Sequence, residues 1–248
     1  MDKILLVTGG GRGIGAATAR LAASQGWTVA VGYSQDEASA QAVVESIVGQ
    51  GGQAMALQAD VAQPDQVLRL FDQIDQRWGP LHALVNNAGV VDVAARVDEM
   101  DWDRWRRMFD INVLGSFLCA REAVRRMSTR HGGRGGCIVN LSSAAARLGS
   151  PGQYVDYAAA KAAIDAFTMG LAKEVGAEGI RVNAVRPGLI ETDIHASGGQ
   201  PDRVRQLVHQ VPMQRGGRAE EVAQAIVWLL SDAASYTTMA LLDVTGGR

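Results

Sequence analysis

Short apolar runs recur along this chain, each followed by a longer stretch of helical spacing, and that alternation limits the fold more than any other feature. The runs fall at residues 4–7, 28–32, 54–58, 83–86, 137–141, 181–185 and 241–244. They are largely continuous in apolar character, as strands buried on both faces are. Parallel strands need crossover connections, and helices supply them. The pattern therefore predicts an α/β, Rossmann-type fold whose parallel sheet carries helices on both faces. Val67, Leu70, Phe71, Ile74 and Trp78 repeat at helical spacing behind Pro64, which suits a first helical turn. Residues 101–130 predict a long helix with a break near Gly115, and residues 153–175 predict another. The glycine-rich run at 131–136 reads as a loop, so one domain over residues 1–248 is expected.

Composition narrows the function classes. With 47% apolar and 20% charged residues, the 248-residue chain lies far from disordered and membrane classes. A formal net charge of −2 gives no basic excess for nucleic acid, and Arg125, Arg126, Arg130 and Arg134 read as a solvated helix end and loop. No apolar run approaches the roughly 18 residues of a membrane span, and the run at 4–7 is too short for a signal peptide. A cytoplasmic location is expected from this. Cys119 and Cys137 stand in apolar surroundings and are expected to be buried thiols. His82, His131, His195 and His209 lack metal-ligand spacing, so no metal is expected.

Two motifs carry chemistry. The first is Thr8-Gly9-Gly10-Gly11-Arg12-Gly13-Ile14-Gly15, placed between the first strand and the first helix. Glycines there let the backbone approach a pyrophosphate, and the helix N-terminus supplies amides and a positive dipole end. An acidic residue at the end of the second strand would bond the ribose hydroxyls of NAD. This chain has Gly32-Tyr33-Ser34-Gln35 there, with no carboxylate until Asp36, while Arg12 is available to a 2′-phosphate. NADP(H) is therefore favoured over NAD(H). Ser34 has a competing role, because Ser34-Gln35-Asp36-Glu37 also fits a capping box for the next helix. The second motif is Tyr157-Ala158-Ala159-Ala160-Lys161, whose ends lie one helical turn apart on one face. A neighbouring ammonium favours the phenolate, so Tyr157 is expected to titrate below the ordinary phenol value of about 10.

Read together, these motifs resemble the short-chain dehydrogenase/reductase family. The match also includes Asp60-Val61, Asn86-Asn87-Ala88-Gly89, Asn112, Ser142-Ser143, Arg186-Pro187-Gly188 and the final Asp243-Val244-Thr245-Gly246-Gly247. The resemblance implies a seven-stranded parallel sheet, a homotetramer and a small carbonyl or alcohol substrate. It implies a catalytic set of Asn112, Ser143, Tyr157 and Lys161. In it Ser143 polarises the substrate carbonyl and Tyr157 moves the proton. Lys161 holds the nicotinamide ribose and lowers the Tyr157 pKa, and Asn112 positions a relay water. The cofactor would meet Gly9, Gly11, Arg12, Gly13, Ile14, Gly15 and Ser34 at its phosphates. Asp60 and Val61 would meet the adenine, and Asn87, Ala88 and Gly89 the adenosine ribose. Pro187, Gly188, Ile190 and Thr192 would lie at the nicotinamide. Family pattern selects Ser143 over Ser142, although the spacing to Tyr157 is one residue longer than usual. Met239 replaces a customary glycine before the last strand, and would be strained if that turn takes positive φ.

Residues 189–210, which include Gly198-Gly199, are expected to form a mobile lid over the substrate. His195 reads there as an exposed loop residue. The leading function is NADP(H)-dependent hydride transfer to or from a carbonyl or alcohol. One alternative is a 3-oxoacyl thioester reductase of fatty-acid type, with Arg106, Arg107, Arg125 and Arg126 as a basic entrance. The other is a non-catalytic dinucleotide sensor.

Overall fold

A computed structural model describes residues 3–248. The chain runs β1 (Lys3–Val7), α1 (Gly13–Ser24), β2 (Trp27–Tyr33), α2 (Glu37–Gly49), β3 (Ala54–Gln58), α3 (Pro64–Trp78) and β4 (Ala83–Asn86). It continues through α4 (Trp102–Phe109), α5 (Gly115–Met127), β5 (Gly136–Leu141), α6 (Ala145–Leu148), α7 (Val155–Val175) and β6 (Ile180–Pro187). Two short elements, β7 (Ile190–Glu191) and α8 (Ile194–Ser197), precede α9 (Arg203–Leu207), β8 (Gly217–Arg218), α10 (Ala219–Leu230) and β9 (Leu241–Val244).

Seven strands form one sheet in the order β3-β2-β1-β4-β5-β6-β9, and every pairing in it is parallel. All seven sequence-read strands are present within a few residues of their expected bounds. The β7–β8 pair forms a separate two-stranded sheet that the apolar pattern did not announce.

Side chains of each strand alternate between two cores. Leu5, Val7, Val29, Val31, Val85 and Val139 face α1, α2 and α10. Ile4, Leu6, Leu84, Ile138 and Val182 face α3, α5 and α7. Helix α3 buries Val67, Leu70, Phe71 and Ile74, with Pro64 in its first turn, and each such side chain contributes about 1.5–3 kcal/mol relative to exposure. Cys119 and Cys137 lie within these cores, and burial pushes their thiols up to about 12 and about 11.

The expected break in the long helix is a π-helical turn over Asp110–Leu114, ahead of Gly115 rather than at it. Such turns widen the helix by one residue and re-aim side chains. Asn112 sits inside this one.

Met239 takes a φ of +64°, and its amide donates to the Val182 carbonyl at 2.7 Å. The left-handed conformation is unfavourable for a side chain with a Cβ. Met239→Gly is expected to raise stability by about 1 kcal/mol, the strain relieved exceeding the entropy glycine adds to the unfolded chain. For a chain of this size that is a rise of about 2–4 °C in Tm, measured by calorimetry; an unchanged or lower Tm would mean the turn carries no strain.

Candidate active site

Sheet order reverses between β1 and β4, and a crevice opens there beyond the carboxyl ends of the strands. The glycine-rich turn closes one side of it. Thr8 ties the turn to the end of β4, its hydroxyl accepting from the amides of Asn87 and Ala88 at 3.0 Å each. The Asn87 side-chain amide donates to the carbonyls of Thr8 and Gly9, both at 2.9 Å. Gly9 and Gly13 adopt φ of +60° and +52°. A Cβ on Gly15 would stand 2.4 Å from the Gly9 carbonyl oxygen and 2.5 Å from the Asn87 amide nitrogen. Helix α1 begins here without a side-chain cap and without an acidic residue in its first turn. Uncapped amides and the positive dipole end suit an anion. The cradle therefore fits the pyrophosphate of a dinucleotide, and its tight path is one that a Cβ at Gly15 would break.

The two candidate 2′-phosphate residues lie beside this turn. Arg12 is exposed and sits close enough to Asp36 to help hold that carboxyl below its ordinary value, after the larger effect of the Ser39 hydrogen bonds. Asp36 caps α2, accepting from the Ser39 amide at 3.0 Å. The capping role proposed for Ser34 is thus corrected: Asp36 holds the cap because the helix starts at Glu37, two residues later than a Ser34 cap requires. Asp60 accepts from the Ala62 amide at 3.0 Å, and Val61 is buried in the second core.

From the turn the crevice continues into a cavity of about 440 Å³, with Ile14, Asn87, Gly89 and Asn112 on one side and Pro187, Gly188, Ile190 and Thr192 on the other. Ser143, Tyr157 and Lys161 form its inner wall. Helix α7 delivers Tyr157 and Lys161 from successive turns of one face, and Lys161 is 4% exposed. Its ammonium donates to the Leu141 carbonyl at 2.7 Å and lies 5.6 Å from the Tyr157 ring centre. Burial pulls Lys161 down to about 8, against the opposing charge of Asp165.

The two serines point apart. Ser142 donates to the Lys161 carbonyl at 3.1 Å, inside the protein. Ser143 accepts from the Ala145 amide at 3.1 Å and faces the same cavity as Tyr157, near enough to temper the rise of its pKa. The expected depression of the Tyr157 pKa is corrected. Burial pushes the phenol up, Ser143 opposes that in part, and Lys161 does not outweigh the loss of solvent.

Asn112, fully buried, is bonded on both sides of its amide: Val90 donates its amide to Oδ1 at 3.1 Å, and Nδ2 donates to the Val90 carbonyl at 3.0 Å. The π-turn thereby pins the strand-to-loop junction after β4. Gly89 is needed beside it, because a Cβ there would lie 2.7 Å from Asn112 Oδ1. A buried relay fixes the neighbouring strands, with Asn86 donating to Asn140 at 3.0 Å and Asn140 to Thr168 at 2.9 Å. At the start of α7, Arg104 grips Asp156 through two bonds of 2.8 and 3.3 Å, which locks the residue preceding Tyr157.

Other expectations change. His195 is not an exposed loop residue; it sits in α8, half-buried, with Nε2 2.9 Å from the Ile190 carbonyl, and it lines the cavity. Arg125 stays exposed at the helix end as expected, but Arg126 does not. Arg126 pairs with Asp72, Asp75 and Glu122 at 2.6–2.9 Å, and Arg125 pairs with Glu122. Arg107 pairs with Asp92. Tyr154 is buried, and its hydroxyl donates to the Gly198 carbonyl at 3.4 Å. The expected lid, residues 189–210, brings Arg203 and Gln210 to the cavity without the sequence having singled them out, while Gln153 and Arg248 were not expected there. Arg248 gives no local signal, because only the tertiary fold carries the chain end to the cavity.

Comparison with known proteins bears on the family and the fold. A family model described as enoyl-(acyl carrier protein) reductase matches residues 9–248. The chain belongs to the short-chain dehydrogenase/reductase family. Among members of that family, an uncharacterized oxidoreductase of Escherichia coli, YgfF, is 58% identical over 99% of both chains. A 3-oxoacyl-(acyl-carrier-protein) reductase of Synechocystis is 39% identical, covering 99% of this chain and 96% of its own. A short-chain dehydrogenase from Burkholderia cenocepacia, solved in complex with NADP, superimposes with a TM-score of 0.90 at 33% identity, covering 99% of this chain and 97% of that one. The chain is therefore an oxidoreductase of the short-chain dehydrogenase/reductase type.

Proposed function

We propose that this protein is an NADP(H)-dependent oxidoreductase acting on a carbonyl or alcohol, with Tyr157 as general acid and base. The observation that carries this reading is one cavity lined by Tyr157, Ser143 and Lys161 together with Ile14 of the glycine-rich turn and with Asn87 and Gly89 after β4. NADP(H), when bound, supplies or accepts the hydride. Gly9, Gly11, Gly13, Ile14 and Gly15 would hold its pyrophosphate, and Pro187, Gly188, Ile190 and Thr192 its nicotinamide end. Asp60, Val61 and Asn87–Gly89 would line the adenosine end.

The protein's own groups then do the polar work. Ser143 donates to the substrate oxygen and stabilises the negative charge that develops there. Tyr157, raised by burial, is a neutral O–H at pH 7 and donates its proton to that oxygen, which suits the reductive direction. Lys161, with its pKa near 8, is placed to replenish that proton. Asn112 would orient a relay water behind it. Residues 189–210 form a lid on a single domain. The exposed apolar side chains Leu114, Phe117, Trp228 and Tyr236 support assembly into a homotetramer, which we assign to the cytoplasm.

Preference for NADP(H) rests on Arg12 and Ser34 at the turn, and on the commitment of Asp36 to the α2 cap. It gains support from the NADP complex of the Burkholderia relative. Arg12→Met is expected to weaken NADPH binding by about 10–100-fold, as loss of a charge-assisted bond does, while NADH binding stays unchanged. Fluorescence titration of both cofactors checks this, and an equal loss for the two would remove Arg12 from phosphate recognition. A second reading, reduction of a 3-oxoacyl thioester, draws on the Synechocystis relative. It is weakened by the ion pairing of Arg107, Arg125 and Arg126, which leaves exposed Arg106 as the one member of the expected basic entrance without an ion pair among the described residues.

A further inference from the structure

The cavity is lined by two guanidinium groups, those of Arg203 and Arg248, that pair with no Asp or Glu among the described residues. Arg203 donates to the side-chain oxygens of Gln153, at 2.7 Å, and Gln200, and stacks 5.0 Å above the Tyr154 ring. Arg248 donates to the Gln210 side chain at 3.0 Å, and Arg147 holds its backbone carbonyl at 3.3 Å. Both arginines are half-buried and line the same cavity as Ser143 and Tyr157. No Asp or Glu is among the residues that line it. Asp202, beside Arg203 in sequence, pairs instead with Arg205 at 3.1 Å.

Neutral amide partners leave both positive charges intact. Burial, and then the like charge of Arg203, hold Arg248 below its ordinary value, so the two groups oppose one another. Burial also keeps His195 below its ordinary value, hence uncharged at neutral pH. Cations confined in a water-poor cleft focus a positive field on whatever enters. The arrangement is one that an anion completes, and guanidinium forks match a carboxylate in particular.

We infer that Arg203 and Arg248 bind a carboxylate carried by the substrate, so that the protein acts on an oxo acid whose carbonyl reaches Ser143 and Tyr157. This deepens the proposed carbonyl chemistry and rests on it. The cofactor's own phosphates fall to Arg12 and the glycine turn, none of whose glycines shares the cavity lining with Arg203 and Arg248.

A ladder of methyl ketones tests this: 2-oxopropanoate, 3-oxobutanoate, 4-oxopentanoate and 5-oxohexanoate, each beside its methyl ester. Calorimetric binding to the NADP⁺-saturated protein is measured together with NADPH-dependent turnover, for wild type, Arg203→Met and Arg248→Met. At least one acid is expected to bind about tenfold or more tightly than its ester, as loss of a charge-assisted contact implies. Either substitution should abolish that preference while NADPH affinity holds. The assignment is overturned if no acid is preferred, if the preference survives both substitutions, or if the variants lose NADPH to the same degree. Preference for an uncharged 3-oxobutanoyl pantetheine thioester would also overturn it. Ester turnover in any of those cases leaves the oxidoreductase reading standing, so the two fail separately.

Discussion

Tyr157→Phe is expected to lower kcat/KM for NADPH-dependent carbonyl reduction by about 10²–10⁴-fold, the range for removal of a general acid. NADPH affinity should change little, because the phenylalanine ring retains the packing of Tyr157 against Met108, Val113 and Ala160. The loss is confined to the hydroxyl, whose pKa Ser143 tempers. Initial rates and a fluorescence titration of NADPH separate the two effects. Turnover within about tenfold of wild type would assign proton transfer to another group and remove Tyr157 from the mechanism.

Gly15→Ala is expected to damage both the fold and cofactor binding. The added Cβ meets the Gly9 carbonyl oxygen at 2.4 Å and Asn87 Nδ2 at 2.5 Å. Neither can retreat, because Asn87 is held to the carbonyls of Thr8 and Gly9 on one side and to the Thr8 hydroxyl through its amide on the other. Overpacking of this kind destabilises by about 1–3 kcal/mol, and NADPH affinity should fall by at least about tenfold as the turn opens. Gly170→Ala provides the contrast. Gly170 lies within α7 with nothing within 4 Å of its Cβ position, so alanine there should stabilise by about 0.5–1 kcal/mol. Thermal unfolding and NADPH titration of both variants decide the matter. A Gly15→Ala protein with wild-type Tm and affinity would show that the turn is soft and not the rigid cradle described.

The strands and the main helices were legible because burial on both sheet faces imposes long apolar runs at β1, β4 and β5, and because α3 carries a regular apolar stripe. The glycine turn, the Tyr157–Lys161 pair and the strain at Met239 were legible because each depends on a local backbone or helical relation. What stayed hidden depends on distant partners. The α2 cap is the one local exception, because Ser34 and Asp36 are both favoured cap residues and the sequence alone does not choose between them. The direction of the Tyr157 shift turns on how deeply α7 is buried, which spacing to Lys161 cannot give. The ion pairs of Arg126 join α5 to α3 across 51 and 54 residues of sequence. Arg203 and Arg248 meet at one cavity only because the segment after β6 folds back over it.

Hydride transfer itself is the most direct test. The protein is mixed with NADPH deuterated at the transferable C4 position and with a panel of aldehydes, ketones and oxo acids, and the products are read by mass spectrometry. The expected result is an alcohol carrying one deuterium at the former carbonyl carbon for each NADP⁺ formed, at a rate that Tyr157→Phe suppresses. Tight NADPH binding with no deuterium in any product across that panel would contradict the enzyme reading and leave a dinucleotide-binding protein in its place.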